Sequence, residues 1–272
     1  MIKVVVLPTV DDVGRYGAGL IEDLVSTRTS TVLGIATGSS PLPIYGALSR
    51  RDTSHYGHVS AFALDEYVGL ERGHPQSYRS VIDHDFTEPL GLNPLAVHVP
   101  DGNAEDLDAE CRAYERYIVE AGGIDLQILG IGDNGHIGFN EPFSSFSSRT
   151  RVAALAVQTR QANARFFDYD MERVPQLCIT QGIATVLAAR SVVLVAQGES
   201  KASAVAAAIG GQVTTACPAS ALQLHDRATF VIDEAAASGL SLNAVQSSHI
   251  AAIYHLEVRG DGGFAKSELH SS

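Results

Sequence analysis

The chain has 272 residues, 45% of them apolar and 18% charged, enough to bury a sizeable core in one large α/β domain or two small ones. A formal net charge of −12 excludes nucleic acid and anionic membrane surfaces as general partners, but a locally positive site could still take a small anion. Cys111, Cys178 and Cys217 are far apart and form no CxxC, which argues against a disulfide framework or zinc knuckle and for a reducing compartment.

The N-terminal MIKVVVLP is too short an apolar run for a signal peptide, and no stretch approaches the ~20 apolar residues of a membrane span, so the expected location is the cytoplasm. Ile2–Leu7 is β-branched and predicts the first strand, with Asp11 as N-cap of an amphipathic helix to about Val25. Thr31–Ala36 predicts the second strand. It runs into Thr37-Gly38-Ser39-Ser40-Pro41, with Pro41 opening a helix over Leu42–Ser49. Backbone N–H groups and small hydroxyls gathered at such a turn suit an anion, a phosphate above all, although a well-capped turn with no ligand has the same composition.

Val59–Leu64 predicts the third strand and ends in Asp65-Glu66-Tyr67. Neighbouring carboxylates in a partly desolvated pocket can have their pKa values pushed apart, which suits proton transfer. Asp65, first after the apolar run, is the catalytic candidate, and Glu66 reads as a solvated loop residue. A short helix to about His84, a short strand over Leu95–Val99 and a polar-faced helix over Ala104–Glu120 follow, the last ending at Gly122-Gly123.

The apolar run Ile124–Leu129 predicts a buried strand that stops at the glycines of LGIGDNGHIGFNEP, residues 129–142. Asp133, Asn134, His136, Asn140 and Glu141 crowd directly behind it, where open α/β sheets place ligands. Beyond Pro142, serines alternate with Phe143 and Phe146, Val152–Val157 predicts a strand, and Thr159–Phe167 a helix. Arg160 and Arg165 on that helix stand about 140° apart, so one is expected to face a pocket and the other solvent. Cys178–Ala189 predicts a helix, Ser191–Gln197 a strand, and Gly198–Lys201 the start of a helix to about Gly210. Lys201 in a first helical turn is electrostatically misplaced, which hints that it meets an anion, although a surface lysine needs no such role. Ala219–Leu222 predicts a short helix and Ala228–Ile232 the last strand, and residues 241–272 read as a loose C-terminal tail.

This alternation predicts a single domain over residues 1–240: a three-layer α/β/α, Rossmann-like, mainly parallel sheet with an inserted lid over about 143–178. Gly130-Ile131-Gly132-Asp133-Asn134-Gly135 matches GxGxxG literally. It fails as a dinucleotide loop, because no helix opens at HIGFNEP and no Asp or Glu lies between Glu141 and Asp168. There is no P-loop and no GxSxG elbow, and a metal held by Asp133, His136 and Glu141 is a minority reading. A phosphate cradle, a strand-end carboxylate, a histidine beside a carboxylate and cations from the second half together suit proton shuttling on a phosphorylated sugar.

GIATGSSP (34–41), LDEYVGL (64–70), HPQSY (74–78), GIGDNGHIGFNEP (130–142), SRTR (148–151), ANARFF (162–167) and ESK (199–201) keep their order, and together they resemble the glucosamine-6-phosphate deaminase family. The pairing of GHIGFNEP with DEYVGL separates that family from its relatives, the 6-phosphogluconolactonases. The resemblance implies conversion of glucosamine 6-phosphate and water to fructose 6-phosphate and ammonia, with no metal or cofactor. It implies that Asp65 moves a proton between C2 and C1, that His136 is the ring-opening acid/base, and that Glu141 orients it. It implies that Gly38, Ser39, Ser40, Arg165 and Lys201 bind the substrate phosphate. Asn134 matches a position that is Asp in some family members, so the amide can bond the histidine but supply no charge. Members activated by N-acetylglucosamine 6-phosphate use serines, an arginine and a lysine after GFNEP. Ser144, Ser145 and Arg151 are present here, but Ala153 stands at the lysine position, which predicts weak or absent activation. Galactosamine 6-phosphate as substrate and a non-catalytic sugar-phosphate sensor are the alternatives. The tail after Leu240 leaves open a homo-oligomer.

Overall fold

The computed structural model describes residues 2–240 and the strand at 250–255. Eight parallel strands form the central sheet, and three short antiparallel strands form a second. In chain order the elements are β1 (Ile2–Leu7), α1 (Val10–Ser26), β2 (Thr31–Ile35), α2 (Leu42–Leu48), β3 (Val59–Ala63), β4 (Asp65–Tyr67), α3 (Tyr78–Ile82), β5 (Val97–His98) and α4 (Leu107–Glu120). Then come β6 (Leu126–Leu129), β7 (Arg151–Ala154), α5 (Val157–Asn163), β8 (Leu177–Thr180), α6 (Ile183–Leu187), β9 (Val192–Ala196), α7 (Ala202–Gly210), β10 (Ala228–Asp233), α8 (Glu234–Ala237) and β11 (Ile250–His255). The large sheet runs β11-β1-β10-β9-β6-β2-β3-β5, and the small one β4-β8-β7.

The strands are apolar on both faces because both faces are covered. Val4, Val6, Leu194 and Phe230 pack toward α4, α6 and α7, while Val5, Leu7, Val193 and Val231 pack toward α1 and α2. Truncating one of the large buried residues, such as Leu33 or Phe230, to Ala costs about 2–5 kcal/mol. A third cluster of Tyr67, Phe139, Leu155, Phe167, Val174 and Cys178 joins the small sheet to the residues on either side of α5.

Several local expectations differ from the structure. Thr9, not Asp11, caps α1: it is extended, its hydroxyl accepts from the Asp12 N–H at 3.2 Å and donates to the Asp12 carboxylate at 2.6 Å. Residues 178–189 are not one helix. Leu177–Thr180 pairs with β4 on one side and β7 on the other, and the chain turns at Gly182, where a Cβ would lie 2.1 Å from the Ser148 carbonyl. Pairing with segments distant in sequence overrode the local pattern. The predicted tail also contains β11, which adds to the sheet edge beside β1; residues 241–249 and 256–272 lie outside the described residues.

Candidate active site

Four neighbouring strands, β9, β6, β2 and β3, end on one edge of the sheet, and the loop after each carries a candidate side chain. The Thr37–Ser40 turn follows β2, Asp65 follows β3, the 130–136 loop follows β6, and Lys201 follows β9. This is the carboxyl edge where open α/β sheets bind ligands. A cleft of about 510 Å³ opens there, lined by Gly38, Ser39, Ser40, Asp65, His136, Arg165 and Lys201 among others.

Asp65 opens β4 and is 5% exposed. Burial, helped by the neighbouring Glu66 charge, pushes its carboxyl up to about 8. It therefore holds its proton to unusually high pH and is a strong base once it has lost it. Glu66 is not solvated: it is buried, and its carboxylate accepts from the backbone N–H groups of Tyr67, Tyr78 and Arg79 at 2.8, 2.8 and 2.9 Å. It thus holds the first turn of α3 and with it Tyr78, which lines the cleft. Burial raises the Glu66 carboxyl, and the three N–H groups together with Arg79 draw it back.

His136 sits over Gly132, where a Cβ would lie 2.1 Å from the ring Cε1, so only glycine leaves room for the imidazole. Its Nδ1 lies 2.7 Å from the Asn134 side-chain oxygen. That oxygen also accepts from the His136 backbone N–H at 3.1 Å, and the Asn134 amide nitrogen donates to Glu141 Oε2 at 2.9 Å. A backbone N–H only donates, so the amide orientation is determined, and Nδ1 must donate to the same oxygen. Nδ1 therefore carries a proton, so in the neutral ring the lone pair is on Nε2. Glu141 lies behind, 3.6 Å from Nδ1, and its other oxygen accepts from the Thr159 hydroxyl. Burial would push the Glu141 carboxyl up. Donors from His136, Thr159 and Asn134, with the imidazole charge, outweigh it and bring it down to about 2. Asn134 and Glu141 thus back His136 rather than line the cleft.

Two cations, Arg165 and Lys201, line the same cleft as the Thr37–Ser40 turn. Gln197 on the β9 loop donates to the Ser40 carbonyl at 3.0 Å, and Gly38 takes a positive φ of 88° that a side chain would strain. Lys201 lies in a short 3₁₀ turn and pairs with the Asp133 carboxylate at 2.6 Å. Asp133 is largely exposed and lines the same cleft, so a bound anion would compete with it for Lys201. Arg165 lies over the Phe166 ring at 4.6 Å and lines the same cleft. Arg160 does not face solvent: it is buried and donates to the Met171 and Val174 carbonyls.

Ser144, Ser145 and Arg151 do not line the cleft. Arg151 donates to Asn140 at 2.8 Å and to Ser144 at 3.2 Å, and Ser145 bonds Ser147 at 2.9 Å. Asn140 is fully buried and also donates to the Ile137 and Gln181 carbonyls, so it serves the loop's shape. Among the described residues no group of three His, Cys, Asp or Glu could hold a metal ion, and no helix is long and apolar enough to cross a membrane.

The sequence reading missed Thr159, Asn163 and Tyr78. Thr159 and Asn163 line the cleft from α5 with Phe166 in the following turn, at helical spacings of four and three. That polar face was legible, but nothing local says which face of a short helix meets a site.

A family model for glucosamine-6-phosphate isomerases and 6-phosphogluconolactonase matches residues 9–231. A glucosamine-6-phosphate deaminase of Streptomyces avermitilis is 54% identical over 245 residues, covering 88% of this chain and 93% of that one. One from Arthrobacter sp. (strain FB24) is 52% identical over 243 residues, with the same coverage. Among solved structures, a monomeric glucosamine-6-phosphate deaminase superposes with a TM-score of 0.83 at 40% identity, covering 86% of this chain and 99% of that one. The 6-phosphogluconolactonase of Thermotoga maritima shares the fold at a TM-score of 0.68 and 18% identity, covering 85% of this chain and all of that one.

Proposed function

The chain belongs to the glucosamine-6-phosphate isomerase/6-phosphogluconolactonase family, and on that footing we propose that it converts glucosamine 6-phosphate and water to fructose 6-phosphate and ammonia. The observation that carries this reading is one cleft lined by a buried carboxyl, Asp65, an oriented imidazole, His136, and the cations Arg165 and Lys201. Relatives about half identical over most of the chain carry the deaminase name, and they support the same reading.

In this reading Arg165, Lys201 and the Gly38–Ser40 turn hold the phosphate, with Lys201 released from Asp133. His136, its proton fixed on Nδ1, presents Nε2 to the sugar, takes the anomeric hydroxyl proton and returns it to the ring oxygen, opening the ring. Glu141 stabilises the imidazolium that forms between the two steps. Asp65 removes the C2 proton and delivers it to C1, while the substrate's ammonium group gives up one proton as O1 gains one, so the aldehyde becomes a C1 alcohol and C2 an iminium carbon. Water adds at C2 and ammonia leaves, which balances the reaction with no redox step. A cytoplasmic location suits the three free cysteines and the substrate class.

The test is ammonia release from glucosamine 6-phosphate by the wild type and Asp65→Asn, with galactosamine 6-phosphate alongside. The expected result is release by the wild type, faster on the gluco sugar, and loss of turnover in Asp65→Asn with binding retained. No ammonia from the wild type overturns the reading, and turnover only on the galacto sugar transfers it to that substrate. Binding of either sugar without turnover would make the protein a sensor.

A further inference from the structure

Glu141 has two oxygens, and each has a donor from a different part of the chain. Oε2 accepts from Asn134 within its own loop, and Oε1 accepts from the Thr159 hydroxyl of α5. Thr159 is 6% exposed. A threonine within a helix commonly spends its hydroxyl on the carbonyl one turn back, but here it points out of its helix to a charged acceptor.

α5 needs such ties. It has seven residues and no side-chain cap, and so short a helix has little stability of its own. It is held instead by Thr159 to Glu141, by Asn163 to the Tyr67 hydroxyl at 2.8 Å, and by Arg160 to the Met171 carbonyl at 2.8 Å. Of these, only the Thr159 bond joins it to the group that handles the proton. The turn that follows carries Arg165 and Phe166 into the cleft.

We infer that Thr159 is a positioning residue: its hydroxyl holds the Glu141 carboxylate at His136, and so places the ring-opening pair and the phosphate-facing Arg165 on one short element. The inference rests on the proposed deaminase reading. In this assignment Thr159 acts through Glu141, the acceptor of its hydroxyl.

The test is a double-mutant cycle in ammonia release with Thr159→Val, Glu141→Gln and the pair, plus Thr159→Ser. Loss of one hydrogen bond to a charged group predicts a fall in kcat of about 10- to 100-fold for Thr159→Val, with KM changed less than about threefold. Thr159→Ser, which keeps the donor, should recover kcat to within a few-fold of the wild type. In the Glu141→Gln background, Thr159→Val should cost less than about threefold, because the acceptor it serves is already changed. Equal losses in both backgrounds, equal losses for the Val and Ser variants, or an unchanged kcat each overturn the inference. Should Thr159→Val fail to fold by its thermal melt, Thr159→Ala runs the same cycle against Thr159→Ser. A wild type that releases no ammonia sinks the deaminase reading instead, so the two failures are told apart by the wild-type arm.

Discussion

Asp65 should make the protein less stable as pH rises. Its carboxyl has an ordinary value of 3.8 and is raised to about 8 by burial and the Glu66 charge. Between those values the folded protein keeps a proton that the unfolded chain has released, so raising pH favours the unfolded chain. The associated stability is fully present below about pH 4 and is lost progressively as pH rises through about 8. At about 1.4 kcal/mol per pH unit, the ionisable side chain costs on the order of 4 kcal/mol at pH 7. Asp65→Asn keeps the shape and removes the titration. Urea unfolding of both proteins at pH 5, 6, 7 and 8, followed by circular dichroism, should show the variant gaining on the wild type by about 1 kcal/mol per unit. Any constant offset from the amide's own hydrogen bonds does not enter that slope. A gap that stays level across the series would refute the buried, raised carboxyl, and with it the base assigned to this position.

Three further outcomes follow from the same geometry. Gly132→Ala places a methyl 2.1 Å from the His136 ring carbon and should displace the imidazole, lowering kcat by about 100-fold in an ammonia-release assay while the circular dichroism spectrum is kept. Asn134→Asp brings a second carboxylate to the oxygen of Glu141 that now accepts a hydrogen bond at 2.9 Å; like charges there raise the Glu141 carboxyl from about 2, so the acid limb of the kcat/KM profile should move to higher pH. An unchanged profile would separate Asn134 from the proton-handling group. N-acetylglucosamine 6-phosphate should activate weakly or not at all, since Arg151 is engaged with Asn140 and Ser144 and Ala153 adds no charge. A strongly sigmoidal substrate curve that straightens on adding it would contradict this.

Sequence alone was enough for what depends on local pattern. Apolar β-branched runs marked most strands of the parallel sheet, because a strand covered on both faces has no polar side to show. The residues behind those runs marked the cleft, because the carboxyl ends of such strands converge. Pairing between distant segments left no such trace. Only the fold brings Leu177–Thr180 between β4 and β7, buries Glu66 against the start of α3, and carries Thr159 to Glu141 across seventeen intervening positions. The same holds for charge: Asp65 and Glu141 are both carboxylic acids in the chain. One is pushed up to about 8 by burial and the other brought down to about 2 by its donors, a division set by packing and hydrogen bonds that form only in three dimensions.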